Sequence, residues 1–307
     1  MSGLLSVLVP TVITSTMLTS TTATVGTYTA WSSTTNYTKG LYCYSPVTQR
    51  VYQSLVDTGN TNKDPALAAN RVGVIVYWLD TGPTNQWAMF DKKPGTLTTA
   101  TSDLTVVIRP GVFSSLYVAG VTASDIAVTV KDAPGGNVIY SYTGPMEASA
   151  PDDYWEYFFD PFEPLTDLLL TDIPPYGTAE VTVSLTGGGT VACGALAVGD
   201  IKVLGQTLSD AEAEPTFFGY IDTDQWGETD IVDGPTATNL TLSAITNSRA
   251  EGLKAQRVVE SALGTPAFWF ATDTPDMAGL RTWGLGSGKF SYRSDRCSIS
   301  ISVKGLI

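Results

Sequence analysis

Histidine is absent from all 307 residues, which removes the commonest general base and the commonest transition-metal ligand together. Triad chemistry is disfavoured with it. Cysteine is scarce too. Cys43, Cys193 and Cys297 are odd in number and far apart, so they do not form the short-spaced pairs of a zinc site, and reduced, buried thiols are expected. Charged residues make up only 15% of the chain and are lopsided, 17 basic against 30 acidic, for a net charge of −13. No basic run interrupts that surplus, so a phosphate backbone would be repelled and nucleic acid is not an expected partner. The acidity serves solubility, or attraction to a basic surface on a partner protein. No apolar run reaches the roughly 20 residues of a membrane span. Met1 to Ile13 lacks a basic n-region and is interrupted by Pro10, so it does not read as a secretory signal, and synthesis in a reducing cytoplasm is expected.

What is present points to strands. Thr, Ser, Gly and Asn fill many of the places where Lys and Glu stand on an ordinary surface, a mix that favours strands and turns over helices. The length exceeds what one core usually organises, so two or three modules are expected. Residues 1–28 are Ser/Thr-rich around Val7, Leu8, Val9, Ile13 and Leu18, and read as a docking arm that orders only on assembly. Residues 29–92 read as a small aromatic-rich β unit with a surface loop over Asp57 to Asn70.

Residues 93–206 read as an antiparallel β-sandwich. Leu104 to Arg109, Ile126 to Lys131 and Val138 to Tyr142 are β-branched runs, the last two joined by a hairpin at Pro134-Gly135-Gly136-Asn137. A second hairpin is expected from Ala179 to Leu185, a Gly187-Gly188-Gly189 turn, and Val191 to Val198. Residues 207–307 read as a small α+β module with one clear helix. Ser248 and Glu251 form a capping box, Leu253, Val258, Val259, Ala262 and Leu263 follow helical spacing, and Gly264 then Pro266 stop it. Leu253, Val259 and Leu263 are expected to face a sheet containing Cys297 to Val303. The fold class is therefore mainly β.

Motifs for chemistry are thin. Asp152, Asp153 and Glu156 stand among Tyr154, Trp155, Tyr157, Phe158 and Phe159, as in a glycosidase that sets carboxylates beside aromatic platforms. The plainer account is a strand with buried aromatics and solvated acids. Asp222, Asp224 and Glu228 around Trp226 could be calcium ligands, but they do not match the D-x-D-x-D-G loop. The glycine-rich stretches lack the Lys-Ser/Thr of a P-loop, and no Ser sits in a G-x-S-x-G elbow. No catalytic residue, metal ligand or cofactor is assigned. Trp31, Tyr37, Tyr42 and Tyr44 are a better candidate site, as the unit's core, as anchors for a protein, or as platforms for a sugar.

Trp31 to Tyr52 reads as W-x(5)-Y-x(2)-G-x-Y, then R-V-Y-x-S-L from Arg50, and is followed by Trp78 to Asp91 with its string G-P-T-N-Q-W-A-M-F-D from Gly82. This resembles a family of tailed-bacteriophage virion proteins. Asp172 to Tyr176, Val191 to Gly194 and Cys297 to Leu306 are similar to that family as well. The resemblance implies that the early unit is like a small chitin-binding carbohydrate-binding module, followed by a sandwich. It also implies a tail, baseplate or collar component, assembled in the host cytoplasm and ending in the virion. Its partners would be other tail proteins, further copies of itself, and a host-surface glycan. The glycan- or partner-binding residues would be Trp31, Tyr37, Tyr42, Tyr44, Tyr52 and Trp78. Two rivals stand beside it: a glycan-binding or glycan-depolymerising phage adhesin, and a bacterial carbohydrate-binding surface module.

Overall fold

The computed structural model describes residues 3–147, 154–159, 164–208, 210–272 and 279–306. The fold is mainly β and its sheets are antiparallel. β1 (Leu4–Pro10) and β2 (Leu18–Thr21) precede a three-stranded sheet of β3 (Tyr42–Ser45), β4 (Arg50–Ser54) and β5 (Trp78–Pro83). A 3₁₀ turn, Asn85–Phe90, leads to β6 (Thr98–Ile108), β7 (Ser115–Ala119), β8 (Asp125–Lys131) and β9 (Val138–Pro145). The short helix α1 (Tyr154–Phe159) comes next, then β10 (Asp167–Leu170), β11 (Glu180–Cys193) and β12 (Ala195–Thr207). β13 (Glu212–Phe217), β14 (Tyr220–Thr223), β15 (Thr229–Val232) and β16 (Thr236–Ile245) follow. Helix α2 (Arg249–Ala262), β17 (Ala267–Phe270), β18 (Arg281–Tyr292) and β19 (Cys297–Gly305) complete the order.

Six strands close into a barrel. β12, β1, β17, β18, β19 and β16 each pair antiparallel with the next, and β16 returns to β12 where Gln206 faces Ile245 and Thr207 faces Ala244. Closure pairs backbone groups that an open sheet would leave unpaired along its edges. Leu5, Val7, Leu242, Trp269, Ile299 and Ile301 fill the interior, and β19 alternates as its sequence pattern predicts, with Cys297, Ile299, Ile301 and Val303 buried. Helix α2 lies against β12, β18 and β19. Its capping box forms: Glu251 N donates to Ser248 Oγ (3.2 Å), while the Glu251 carboxylate accepts from Asn247 N (2.9 Å).

The helix is rotated from its expected phase. Gly252, Ala255, Val259 and Ala262 are the buried positions, whereas Leu253 and Leu263 are exposed. Small residues face the barrel because the approach is close: a Cβ on Gly252 would stand 2.5 Å from Cys297 Cβ. A leucine on that face would force the helix away.

The segment 3–28 is built into the fold. β1 sits between β12 and β17, and Leu5, Val7 and Leu8 are completely buried. The apolar neighbours missing nearby in sequence come from strands about 200 residues or more away, which local reading could not see. β2 in turn pairs with β6.

The sandwich packs the sheet β2-β6-β11-β8-β9 against β10, β7 and the first half of β12. Leu104, Val106, Val128 and Val183 meet Leu116, Val118, Leu196 and Val198 across it. The β8–β9 hairpin turns at 132–137 as expected, with Asp132 N bonded to Asn137 O. The second expected hairpin does not exist. β11 runs straight through its glycines, which bulge out opposite Ser102 while pairing with β6 continues on both sides. The true corner is Gly194, where the chain passes from one sheet to the other; a Cβ there would stand 2.1 Å from Pro94 O. On the other face of the large sheet Tyr117 stacks on Phe268 (centroids 3.8 Å apart) and Leu8 joins them.

Candidate functional site

The aromatic unit is held by its own core. Tyr37, Cys43, Tyr52 and Trp78 are buried together, with Trp31 half-buried against them. Tyr37 meets Trp78 edge-on at 5.3 Å, and Trp78 Nε1 donates to Lys63 O (2.6 Å). Buried Asn60 fastens the loop, accepting from Tyr37 N (3.0 Å) and donating to Ser54 Oγ (2.8 Å). Three of the six residues assigned to glycan or partner contact, Tyr37, Tyr52 and Trp78, thus present no face to a ligand. Tyr44 is half-buried. Tyr42 is exposed and lies 5.7 Å from the exposed ring of Tyr28, a residue the sequence reading did not single out. Trp31 Nε1 is buried, with no hydrogen-bond partner among the described residues.

The string from Gly82 to Asp91 fastens this unit to the sandwich. Asn85 Nδ2 donates to Thr24 O and Thr99 O, its Oδ1 accepts from Thr99 N (2.8 Å), and Met89 enters the sandwich core. Trp283 Nε1 donates to Lys92 O (3.0 Å), tying the barrel to the same segment.

A projecting exposed feature lies elsewhere. β13 and β16 pair from Glu212 opposite Thr241 to Phe217 opposite Thr236, and the same two chain segments pair again from Tyr220 opposite Val232 to Thr223 opposite Thr229. Together they form a two-stranded ribbon. Among the described residues the outer part pairs only with itself, and its four paired positions span about 13 Å at the ~3.3 Å rise of a strand, with the tip turn beyond them. Its exposed side chains include Phe218, Tyr220, Trp226, Ile231 and Val232, with Trp226 83% exposed at the tip. Asp222 stands directly opposite Asp230. The only sequence signal was charge: no Lys or Arg occurs between Lys202 and Arg249, a span holding eight carboxylates.

Asp224 closes the tip, accepting from Trp226 N (2.8 Å) and Glu228 N (2.9 Å) on the same carboxylate oxygen. Among the described residues no cluster of three or more His, Cys, Asp or Glu is placed to hold a metal ion. Asp152 and Asp153 lie outside the described residues. The segment after them is the helix α1 rather than a strand, and its Tyr154, Trp155 and Phe158 are exposed. All three cysteines are free and buried. Burial pushes the Cys43 and Cys193 thiols up to about 12, with Asp64 adding to the shift at Cys43, so both stay protonated and unreactive. Among the described residues no helix is long and apolar enough to cross a membrane.

No family model, curated protein or solved structure matches the chain.

Proposed function

We propose that the chain is a structural, non-catalytic protein of a phage particle, a tail, baseplate or collar component that works by binding other proteins. The projecting ribbon carries this reading. A two-stranded ribbon is at best marginally stable alone in water, and exposing Phe218, Tyr220, Ile231 and Val232 on one brings an isolated monomer no gain. Such a feature is stabilised when a partner covers it. The apolar loop of Val72, Val74 and Ile75, also exposed, adds a second surface of the same kind. The resemblance of Trp31 to Asp91 to phage virion proteins supplies the particle. The test is mass-spectrometric detection of the chain in gradient-purified particles. Full-length protein should be incorporated, and a variant with residues 219–234 replaced by Asn-Gly should fold yet be left behind. Absence of the full-length chain from the particles, or incorporation of the variant at the same level, would overturn the reading.

A second reading is favoured by the Tyr28 and Tyr42 rings, which lie side by side and exposed. A sugar's apolar face stacks on such rings, so the small unit would adhere to a host glycan. Retention on insoluble chitin or peptidoglycan, lost in Tyr42→Ala, supports it. Equal retention of the variant counts against it.

A further inference from the structure

We infer that copies of this chain associate head to tail, the acidic ribbon of one copy seating on a cationic platform at the far end of the next copy's barrel. This rests on the reading of the chain as an assembling protein and names the partner.

The platform is built where helix α2 begins. Arg249 Nε donates to Arg293 O (2.7 Å), and Thr246 N to Cys297 O (3.0 Å), so the start of α2 and the β18–β19 turn are one body. Arg249, Lys254, Arg257 and Arg293 are exposed there, and among the described residues none of the four has a carboxylate within salt-bridge distance; with Arg296, which pairs with Asp295, these five cations outnumber the three acids of the same helix and turn, Glu251, Glu260 and Asp295. Leu253 and Tyr292, both exposed, give the platform an apolar centre.

Strand register sets the two surfaces apart. The ribbon leaves from the Thr236 end of β16, whereas Ile245 at its other end pairs with Ser298 beside the cationic turn. The separation is about 30 Å along the strand at ~3.3 Å per residue. A ribbon cannot fold back onto its own platform, so the complementary charge it meets belongs to another molecule. Unlike surfaces at opposite ends make a heterologous contact, which propagates into a stack or closes into a ring.

The ribbon carries its own sign of an absent partner. Asp222 directly opposite Asp230 places their Cβ atoms about 5 Å apart on one face, and like charges so placed destabilise a strand pair. Neither is ion-paired among the described residues. A guanidinium between them removes the repulsion, and Arg249 and Arg293 present two. Tyr220 and Trp226 then meet Leu253 and Tyr292, an arrangement of apolar centre and charged rim common to protein interfaces.

Sedimentation velocity of the full chain at low and high salt tests this. Association should weaken by about tenfold or more between roughly 50 and 500 mM salt, because the contact is electrostatic. Asp222→Lys/Asp230→Lys and Arg249→Glu/Arg293→Glu should each leave a folded monomer, with circular dichroism as the control. The chain carrying all four substitutions should associate again, since the charges are exchanged and not lost. A wild-type chain that stays monomeric at low salt overturns the inference. So does association that salt strengthens, or that survives in either two-site variant. A chain incorporated into particles but monomeric at low salt sinks only this contact and leaves the assembly reading standing.

Discussion

Replacing Leu8 with alanine removes a side chain with no solvent exposure from the centre of β1, on the face where Tyr117 and Phe268 stack. Rigid aromatic neighbours collapse poorly into the space, so the transfer loss and the residual cavity should together cost about 3 to 4 kcal/mol. Leu5, equally buried, points the other way into the barrel, and Leu5→Ala should cost about as much. The two side chains belong to different clusters on opposite faces of one strand. Their effects should therefore add to within about 0.5 kcal/mol in the double variant. Urea unfolding followed by tryptophan fluorescence measures all three. Proteinase K supplies an independent check, since a strand paired on both sides should be cut only on global unfolding. Losses below about 1 kcal/mol for both single variants, or clipping of the first ten residues with an unchanged melt, would refute the barrel placement of β1 and restore the docking arm.

Val259→Ala should cost about 2 kcal/mol because Val259 is buried against the barrel, while Leu253→Ala on the outer face should stay within about 0.5 kcal/mol; thermal melts that reverse this order would mean the helix phase is wrong. Asn85→Ala should lower stability by about 2 to 3 kcal/mol, since it strands the partners of several hydrogen bonds between the small unit and the sandwich, and an unchanged melt would show the two to be uncoupled. The thiols predict a loss of stability in alkali. Their folded values lie above the ordinary 9.0, so the unfolded chain gives up protons first, and their contribution is intact below about pH 9 and declines toward pH 12. The decline is about 1.4 kcal/mol per pH unit per thiol. Cys193→Ala should make the fall shallower, and an identical slope would disprove it.

Much of the sandwich was legible because its signals are local. The β8–β9 hairpin declared itself through β-branched alternation and a Pro-Gly-Gly-Asn turn, and the capping box at Ser248 and Glu251 through two residues three apart. The three-glycine stretch in β11 misled because the same residues serve a tight turn or a bulge, and only pairing with β6 across Ser102 distinguishes them. Trp78, Tyr37 and Tyr52 were legible as aromatics but not as core. A ring suited to stacking on a sugar is equally suited to burial, and which occurs depends on what covers it.

Composition and period by themselves determined that this chain is mainly β, that its thiols are not paired neighbours in sequence, and that its one long helix starts at Ser248. Those properties rest on interactions within a few residues. The barrel was decided only in three dimensions, because it joins Leu4–Pro10 to strands near residues 200 and 270. So was the phase of α2, which follows from how closely Gly252 approaches Cys297. So too was the projection of the ribbon, since residues such as Tyr220, Ile231 and Val232 look the same in sequence whether a sheet covers them or water does.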